Sequence, residues 1–337
     1  MTKVDSIKNG NEVGVAIGVD ALAKSYGDVE AVKGVSFQVL QGETFGFLGP
    51  NGAGKSTTIS MLCTLVKPTA GKAIVAGFDV LQAKADVRRN IGLVFQDTTL
   101  DDYLTAEENL RFHAELYGVP KEGLKERMDA LFEMVGLEQR RNSIVGTYSG
   151  GMKRRLEIIR GLLHSPRVLF LDEPTIGLDP QTRTHIWEYI ESLRKSEEIT
   201  MFLTTHYMDE AENCDRIAII DDGEIVAIDT PERLKASVGA DRVGIGTQDN
   251  ESAISLLREH FGLEATMSEG LVVVYVEEGE RFVPRLFDGL GMTINSVSIT
   301  RPTLDDVFMN YTGRTIRDAE ASVSEKMASN PWLRRRR

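Results

Sequence analysis

The chain has two cysteines in 337 residues, Cys63 and Cys214. Both fall in apolar or helical stretches without ligand spacing, so neither a disulfide framework nor a thiolate metal site is available. Buried, reduced thiols are expected. No run approaches the roughly 18 apolar residues of a membrane-spanning helix. The polar opening from Met1 to Val13 has no signal-peptide core. A basic surplus is missing too: 39 Lys and Arg face 51 Asp and Glu, for a formal net charge of −12 and a pI near 5.1. Such a surface repels nucleic acid and anionic membrane, which weighs against both as direct partners. Any work on a membrane would run through a separate protein. No internal repeat or long low-complexity segment is present, which excludes a solenoid. The basic close, Trp332-Leu-Arg-Arg-Arg-Arg337, reads as a solvated tail. What the chain does have is 42% hydrophobic residues and enough length for two domains with real cores.

Its most informative stretch is Gly49-Pro-Asn-Gly-Ala-Gly-Lys-Ser-Thr57, which fits the phosphate-cradling pattern G-x-x-x-x-G-K-[ST]. The flanks agree with it. Thr44-Phe-Gly-Phe-Leu48 is an apolar strand-type run, and Thr57 to Val66 reads as a helix with Ile59, Leu62 and Val66 on one side. A strand, a glycine-rich turn and a helix N-terminus gather backbone N–H groups around an anion. Gly49, Pro50, Asn51, Gly52, Ala53, Gly54, Lys55, Ser56 and Thr57 are therefore expected to bind a nucleotide triphosphate. Lys55 would reach the β- and γ-phosphates, and the Ser56 hydroxyl would bind Mg²⁺.

Residues 15 to about 235 alternate strand-like runs with helical patterns, which predicts an α/β sheet with mostly parallel strands. The runs 91–95, 168–171 and 200–203 are apolar on both faces, as central parallel strands must be. Between them, residues 97–166 are mainly helical in pattern, as in Ala106 to Leu116 and Leu124 to Met134. After Pro231 the texture changes. Strands at 241–247, 263–267, 271–277 and 293–300 with helices at 250–261 and 280–290 give the order β-α-β-β-α-β of ferredoxin-like domains.

Ligands of open parallel sheets bind at the carboxyl ends of the strands, and four polar residues are expected there. Gln96 follows Leu93-Val-Phe95, Asp172 and Glu173 follow Leu169-Phe-Leu171, and His206 follows Leu203-Thr-Thr205. Asp172 is the expected carboxylate for Mg²⁺ or its water shell. Glu173 is the candidate general base for an attacking water. His206 is placed to contact the γ-phosphate and orient that water, and Gln96 to reach Mg²⁺ or the water. Lys55, Glu173 and His206 form the catalytic set. Each residue alone is weak evidence; their convergence beside the phosphate loop carries the argument. A further segment, Ser149-Gly150-Gly151, opens a helix pattern over 152–163 and makes a second anion-binding helix start.

With the phosphate loop, Gln96, Ser149-Gly-Gly151, Leu169-Phe-Leu-Asp-Glu-Pro174, Leu178-Asp179 and His206 in this order, the chain resembles an ATP-binding cassette (ABC) ATPase. That resemblance implies a P-loop NTPase fold with an inserted helical subdomain over 15–235, a small C-terminal α+β domain over 240–315, and polar tails at 1–14 and 316–337. It also implies a head-to-tail homodimer in which the phosphate loop of one subunit and Ser149-Gly150-Gly151 of the other enclose each ATP. Tyr26 matches the family's adenine-stacking aromatic, Asp179 the residue that communicates across the dimer, and Gln96 a residue coupling the site to a membrane domain. Arg301-Pro-Thr-Leu-Asp-Asp-Val-Phe308 and Tyr311-Thr-Gly-Arg314 look like the daunorubicin-resistance type of exporter ATPase, whose multi-spanning permease is a separate polypeptide. The signature departs from the family's usual form, with Tyr148 where Leu is common and Met152 where Gln is common. The residues expected to touch phosphate are intact.

The leading expectation is an ATP-hydrolysing subunit of an ABC exporter, at the cytoplasmic face of the cell membrane and held there by its permease. It would power efflux of a hydrophobic, drug- or lipid-like cargo. The alternative is a soluble ABC ATPase acting on nucleic acid or ribosomes, which the single cassette and acidic balance disfavour. A nucleotide switch without a pump is a third class, disfavoured by the intact Glu173 and His206.

Overall fold

The computed structural model describes residues 14–313 except 198 and 269, so both tails expected from the sequence lie largely outside the described residues. The described chain divides into two compact units, the first ending at Ile228 and the second beginning at Asp229.

The first unit opens with β1 (Val15–Tyr26), β2 (Val29–Leu40), β3 (Thr44–Leu48), α1 (Lys55–Leu62), β4 (Ala70–Val75), β5 (Phe78–Asp79), α2 (Lys84–Asn90) and β6 (Ile91–Val94). Helices α3 (Ala106–Tyr117), α4 (Leu124–Met134) and α5 (Gly150–Leu162) follow. The chain then runs through β7 (Val168–Asp172), α6 (Pro180–Glu197), β8 (Thr200–Thr205), α7 (Met208–Ala211), β9 (Arg216–Asp221) and β10 (Glu224–Asp229). Six strands form one sheet in the order β10-β9-β3-β8-β7-β6, with parallel pairing from β9 through to β6. Strands β3, β7 and β8 are buried at every residue, as strands covered on both faces must be.

The expectation of mostly parallel strands over 15–235 holds for that sheet only. A second sheet, β2-β1-β4-β5, is antiparallel throughout. Its strands alternate buried and exposed positions more loosely because it is covered on one face, and β1 carries register shifts at Val19/Leu22 and Lys24/Ser25. The two sheets meet through phenylalanines. Phe37 of β2 lies 5.6 Å from Phe45 and 5.9 Å from Phe202, ring centroid to centroid, and Phe170 and Phe47 close around Phe202 at 5.5 Å. Offset and tilted rings at this spacing contribute beyond their buried area.

The helix expected to run to Val66 ends sooner. Cys63 caps α1, and Thr64 takes a left-handed φ of 63°, so Leu65 and Val66 leave the helix axis. Between β6 and β7 the helical region appears as expected. A capping box of Thr105 and Glu108 starts α3, and Gly118 ends it with φ 64°.

The second unit contains α8 (Pro231–Val238), β11 (Asp241–Thr247), α9 (Asn250–Phe261), β12 (Thr266–Ser268), β13 (Leu271–Val276), α10 (Gly279–Gly289), β14 (Ile294–Thr300) and α11 (Leu304–Thr312). The sheet order is β12-β13-β11-β14, antiparallel at each pairing, which is the strand order of a split βαβ fold. Val243, Ile245, Val272 and Val274 meet Leu257, Phe282 and Leu286 in its core. The segment 301–308 singled out in the sequence becomes the start of α11, capped by Thr303 and Asp306, with Leu304, Val307 and Phe308 buried. Helix α11 packs against α8.

Candidate active site

The phosphate loop leaves the end of β3, where Gly49 N–H donates to Thr205 O at 3.2 Å on the neighbouring strand. A side chain at Gly49 would place a Cβ 2.2 Å from the backbone oxygen of Ile220, so only glycine fits. Gly54, with φ 104°, precedes α1, and its Cβ would lie 2.5 Å from Ala31 O. The first helical bond is Thr58 N–H to Gly54 O at 2.9 Å, so the N–H groups of Ser56 and Thr57 precede the ladder, where a helix offers donors to an anion.

Lys55 folds back over this loop. Its Nζ donates to Gly49 O at 2.7 Å and to Pro50 O at 3.2 Å, and lies 3.1 Å from Glu173 Oε1. Both partners of the ion pair are buried. Across the pairing of β7 with β8, Asp172 sits beside Thr204. The Thr204 hydroxyl donates to Asp172 Oδ1 at 2.5 Å, and Ser56 Oγ donates to the same oxygen at 3.2 Å. The Thr204 hydroxyl also accepts the Glu173 N–H at 3.0 Å, so one side chain fixes both acidic residues.

Glu173 has φ 46°, an unusual left-handed conformation for a non-glycine residue, and it turns its carboxylate away from Asp172 toward Lys55 and His206. His206 Nδ1 lies 3.4 Å from Glu173 Oε2, yet both atoms are buried without a hydrogen-bond partner. Two unsatisfied polar atoms facing each other at that separation fit a site that receives a polar group, such as a water.

The neighbouring carboxyls are driven in opposite directions. Burial raises Asp172 above the usual aspartate range, with the Thr204 and Ser56 hydroxyls offsetting part of it. Burial works the same way on Glu173, but the His206 ring and the Lys55 ammonium outweigh it and hold the group below the usual glutamate range. A carboxyl whose burial outweighs the pull of nearby Lys55 and a carboxylate held below its usual range by His206 and Lys55 suit two distinct tasks, metal ligation and proton acceptance.

Among the expected residues, the structure brings together Gly49, Lys55, Ser56, Asp172, Glu173 and His206. Gln96 stands on the same sheet edge, two residues past β6, but is exposed and makes no hydrogen bond with Ser56 or Asp172. Tyr26 ends β1 on the antiparallel sheet, half exposed, with Lys24 Nζ 4.8 Å from its ring centre. Ser149 caps α5 by accepting Met152 N–H at 3.3 Å, and Gly151 packs so closely on α6 that a Cβ would lie 2.5 Å from Thr182 Cγ2. Neither Ser149 nor the glycines hydrogen-bond the phosphate loop. Asp179 accepts from Thr182 N–H at 3.0 Å and Thr182 Oγ at 2.6 Å, and so caps α6.

Sequence reasoning missed Arg154 and Glu157. The two form a buried ion pair at i, i+3, and their burial, which sets them apart from the other charges of α5, is visible only in the structure. Glu210 was also missed. It is buried on α7, accepts a hydrogen bond from the Thr175 hydroxyl, and burial pushes it up to about 7.

A glycine-rich anion loop, a buried lysine and two divergent carboxylates at one sheet edge define a nucleoside-triphosphate-hydrolysing site of the P-loop class. The sequence profile described as "ABC transporter" matches residues 32–176, and that of the "ATP-binding protein DrrA1-3-like, C-terminal domain" matches 230–312. The linearmycin resistance ATP-binding protein LnrL of Bacillus subtilis is 40% identical over 88% of this chain and 98% of its own length. The daunorubicin/doxorubicin resistance ATP-binding protein DrrA of Streptomyces peucetius is 38% identical over 93% of this chain and 98% of its own length. Among solved structures, a dimeric ATP-binding cassette in a post-hydrolysis state bound to ADP and Pi superposes with TM-score 0.58 and 28% identity, over 64% of this chain and 98% of that one. Clostridium perfringens cbiO1, part of the ABC transporter complex cbiONQ, superposes with TM-score 0.61 and 28% identity, over 65% of this chain and 90% of that one. The chain belongs to the ATP-binding subunits of the ABC transporter family and is an ATPase.

Proposed function

We propose that this chain powers efflux of a hydrophobic, drug- or lipid-like compound through a separate multi-spanning permease. The resistance proteins that it resembles over most of its length support this, and no helix among the described residues is long and apolar enough to cross a membrane. In this reading the chain is peripheral, at the cytoplasmic face of the membrane, and closes on ATP as a head-to-tail homodimer.

The observation that carries the chemistry is the divergence of Asp172 and Glu173 around Lys55. Lys55 and the loop N–H groups bind the phosphates, and Tyr26 stacks on the adenine. Ser56, Asp172 and Gln96 would hold Mg²⁺, and the Ser56–Asp172 contact at 3.2 Å, which sets a hydroxyl and a carboxyl oxygen side by side, suits that donor set. The ion supplies charge neutralisation on the phosphates. Glu173, held ionised and facing His206, accepts the proton of the attacking water, and His206 orients that water. Ser149, Gly150 and Gly151 contact the nucleotide held by the other subunit, and Asp179 relays its state across the interface.

Pull-down of tagged chain from membranes in mild detergent, with mass spectrometry of what co-purifies, tests the transport reading. A stoichiometric multi-spanning protein is the expected result. Ribosomal or DNA-repair proteins without a membrane partner would overturn it.

A further inference from the structure

Arg154 is buried in α5, five residues beyond Ser149, and its guanidinium is spent almost entirely on backbone carbonyls. Nη2 donates to Asp172 O and to Glu173 O, each at 3.1 Å. Nε donates to Pro174 O and Nη1 to Phe95 O, each at 2.5 Å. Glu157 Oε2 lies 3.2 Å from Nη1, and its other oxygen accepts Thr99 N–H at 2.8 Å. Three of the carbonyls belong to consecutive residues. Carbonyls of three successive residues converge on one point only where the chain curls sharply, and the curl here is the left-handed Glu173 at φ 46°. Such a conformation persists when its surroundings over-determine it. The fourth carbonyl belongs to the residue before Gln96.

We propose that Arg154 is a positioning residue: its guanidinium fixes the backbone of the Asp172–Pro174 turn, and with it the Glu173 carboxylate, to the helix that carries Ser149-Gly150-Gly151. One planar fork thus joins the general-base turn, the chain entering Gln96 and the start of α5. A displacement of α5, as when its N-terminus seats on the other subunit's nucleotide, moves the base with it. Lysine cannot replace the fork, because a single ammonium offers three rotating donors in place of five held in a plane. The inference rests on Glu173 being the general base.

The test compares three full-length proteins with the native chain: Arg154→Lys, the double variant Arg154→Gln/Glu157→Gln, and Glu173→Gln. Each is measured for thermal melting, for affinity toward a fluorescent ATP analogue, and for kcat and KM in ATP hydrolysis. The double variant removes both charges, so no lone buried charge confounds it. Arg154→Lys and the double variant are each expected to lose at least about tenfold in kcat. Analogue affinity should stay within about threefold and the melting temperature within a few degrees. Native kcat in both overturns the proposal. A fall in affinity and melting that accounts for the lost rate also overturns it, because that is the mark of bulk support for the fold. Glu173→Gln separates the two layers. Undiminished turnover there removes the general-base reading on which the proposal stands, whereas an inactive Glu173→Gln beside fully active Arg154 variants removes the positioning role alone.

Discussion

Lys55 Nζ and Glu173 Oε1 form an ion pair 3.1 Å apart, both side chains buried and separated in sequence by the whole helical region. The pair joins the residue proposed to bind phosphate to the residue proposed to take the proton, so each acts on the other's charge. Each partner also has a second anchor, Gly49 O and Pro50 O for Lys55 and the His206 ring for Glu173.

Glu173→Gln keeps the volume and the Lys55 contact but cannot accept a proton. Turnover should fall by about 10²–10⁴-fold while ATP still binds. The same variant should accumulate as a nucleotide-bound dimer, seen by size-exclusion chromatography with ATP. Normal hydrolysis would end the general-base assignment.

Gly49→Ala tests the loop itself. Its Cβ would fall 2.2 Å from Ile220 O, a backbone atom that cannot swing aside. A destabilisation of at least ~1–3 kcal/mol and loss of nucleotide binding are expected, read as a melting temperature lower by several degrees and no longer raised by ATP. An unchanged melt with full ATP stabilisation would show that the loop has more room than its geometry allows.

Gly151→Val separates the two helix starts proposed to face phosphate. The added side chain meets Thr182 and blocks close approach to an anion at α5, leaving the phosphate loop untouched. ATP binding should persist in the isolated chain, with hydrolysis down about tenfold or more. Full hydrolysis would argue that α5 contributes nothing to the nucleotide site.

Glu210 sets a pH dependence of stability. Burial raises its carboxyl to about 7, while Arg183 and His206 pull it down and Asp209 adds to the rise; the Thr205 hydroxyl also lowers it, and Cys214 is a buried neighbour. Because the folded value lies above the unfolded one, the native state holds the extra proton. Stability from this group is complete below the unfolded glutamate range near 4.5 and is lost as pH rises through about 7. Glu210→Gln keeps an acceptor for Thr175 without the charge. It should melt like the native protein near pH 5 and higher than it at pH 8, by up to about 3 kcal/mol. Equal melting at both values would mean that Glu210 titrates normally.

The central strands and the site at their ends were legible because their signals are local. Strands β3 and β7 are mostly apolar runs and β8 has an apolar centre; β3 is followed by the glycine-rich loop from Gly49, β7 by Glu173 and β8 by His206. The split βαβ order of the second unit was legible for the same reason. The antiparallel sheet was not, since β1 and β2 are set by pairing across register shifts that no periodicity announces. Arg154 escaped because its partners are carbonyls of residues 95 and 172–174, and backbone acceptors leave no trace in side-chain identity. Asp179 presents the reverse case. The structure gives it the local role of capping α6, whereas its expected part in a dimer depends on a second copy.

Both thiols of the chain are buried, Cys63 at the end of α1 and Cys214 after α7, and burial pushes each well above the ordinary cysteine range. Neither therefore presents a thiolate to a maleimide or a methanethiosulfonate spin label near neutral pH. A single cysteine introduced at an exposed position, such as Tyr103, would be the one reactive handle among the described residues. The native background can carry paired-label distance measurements of opening and closing without first stripping out its own sulfur.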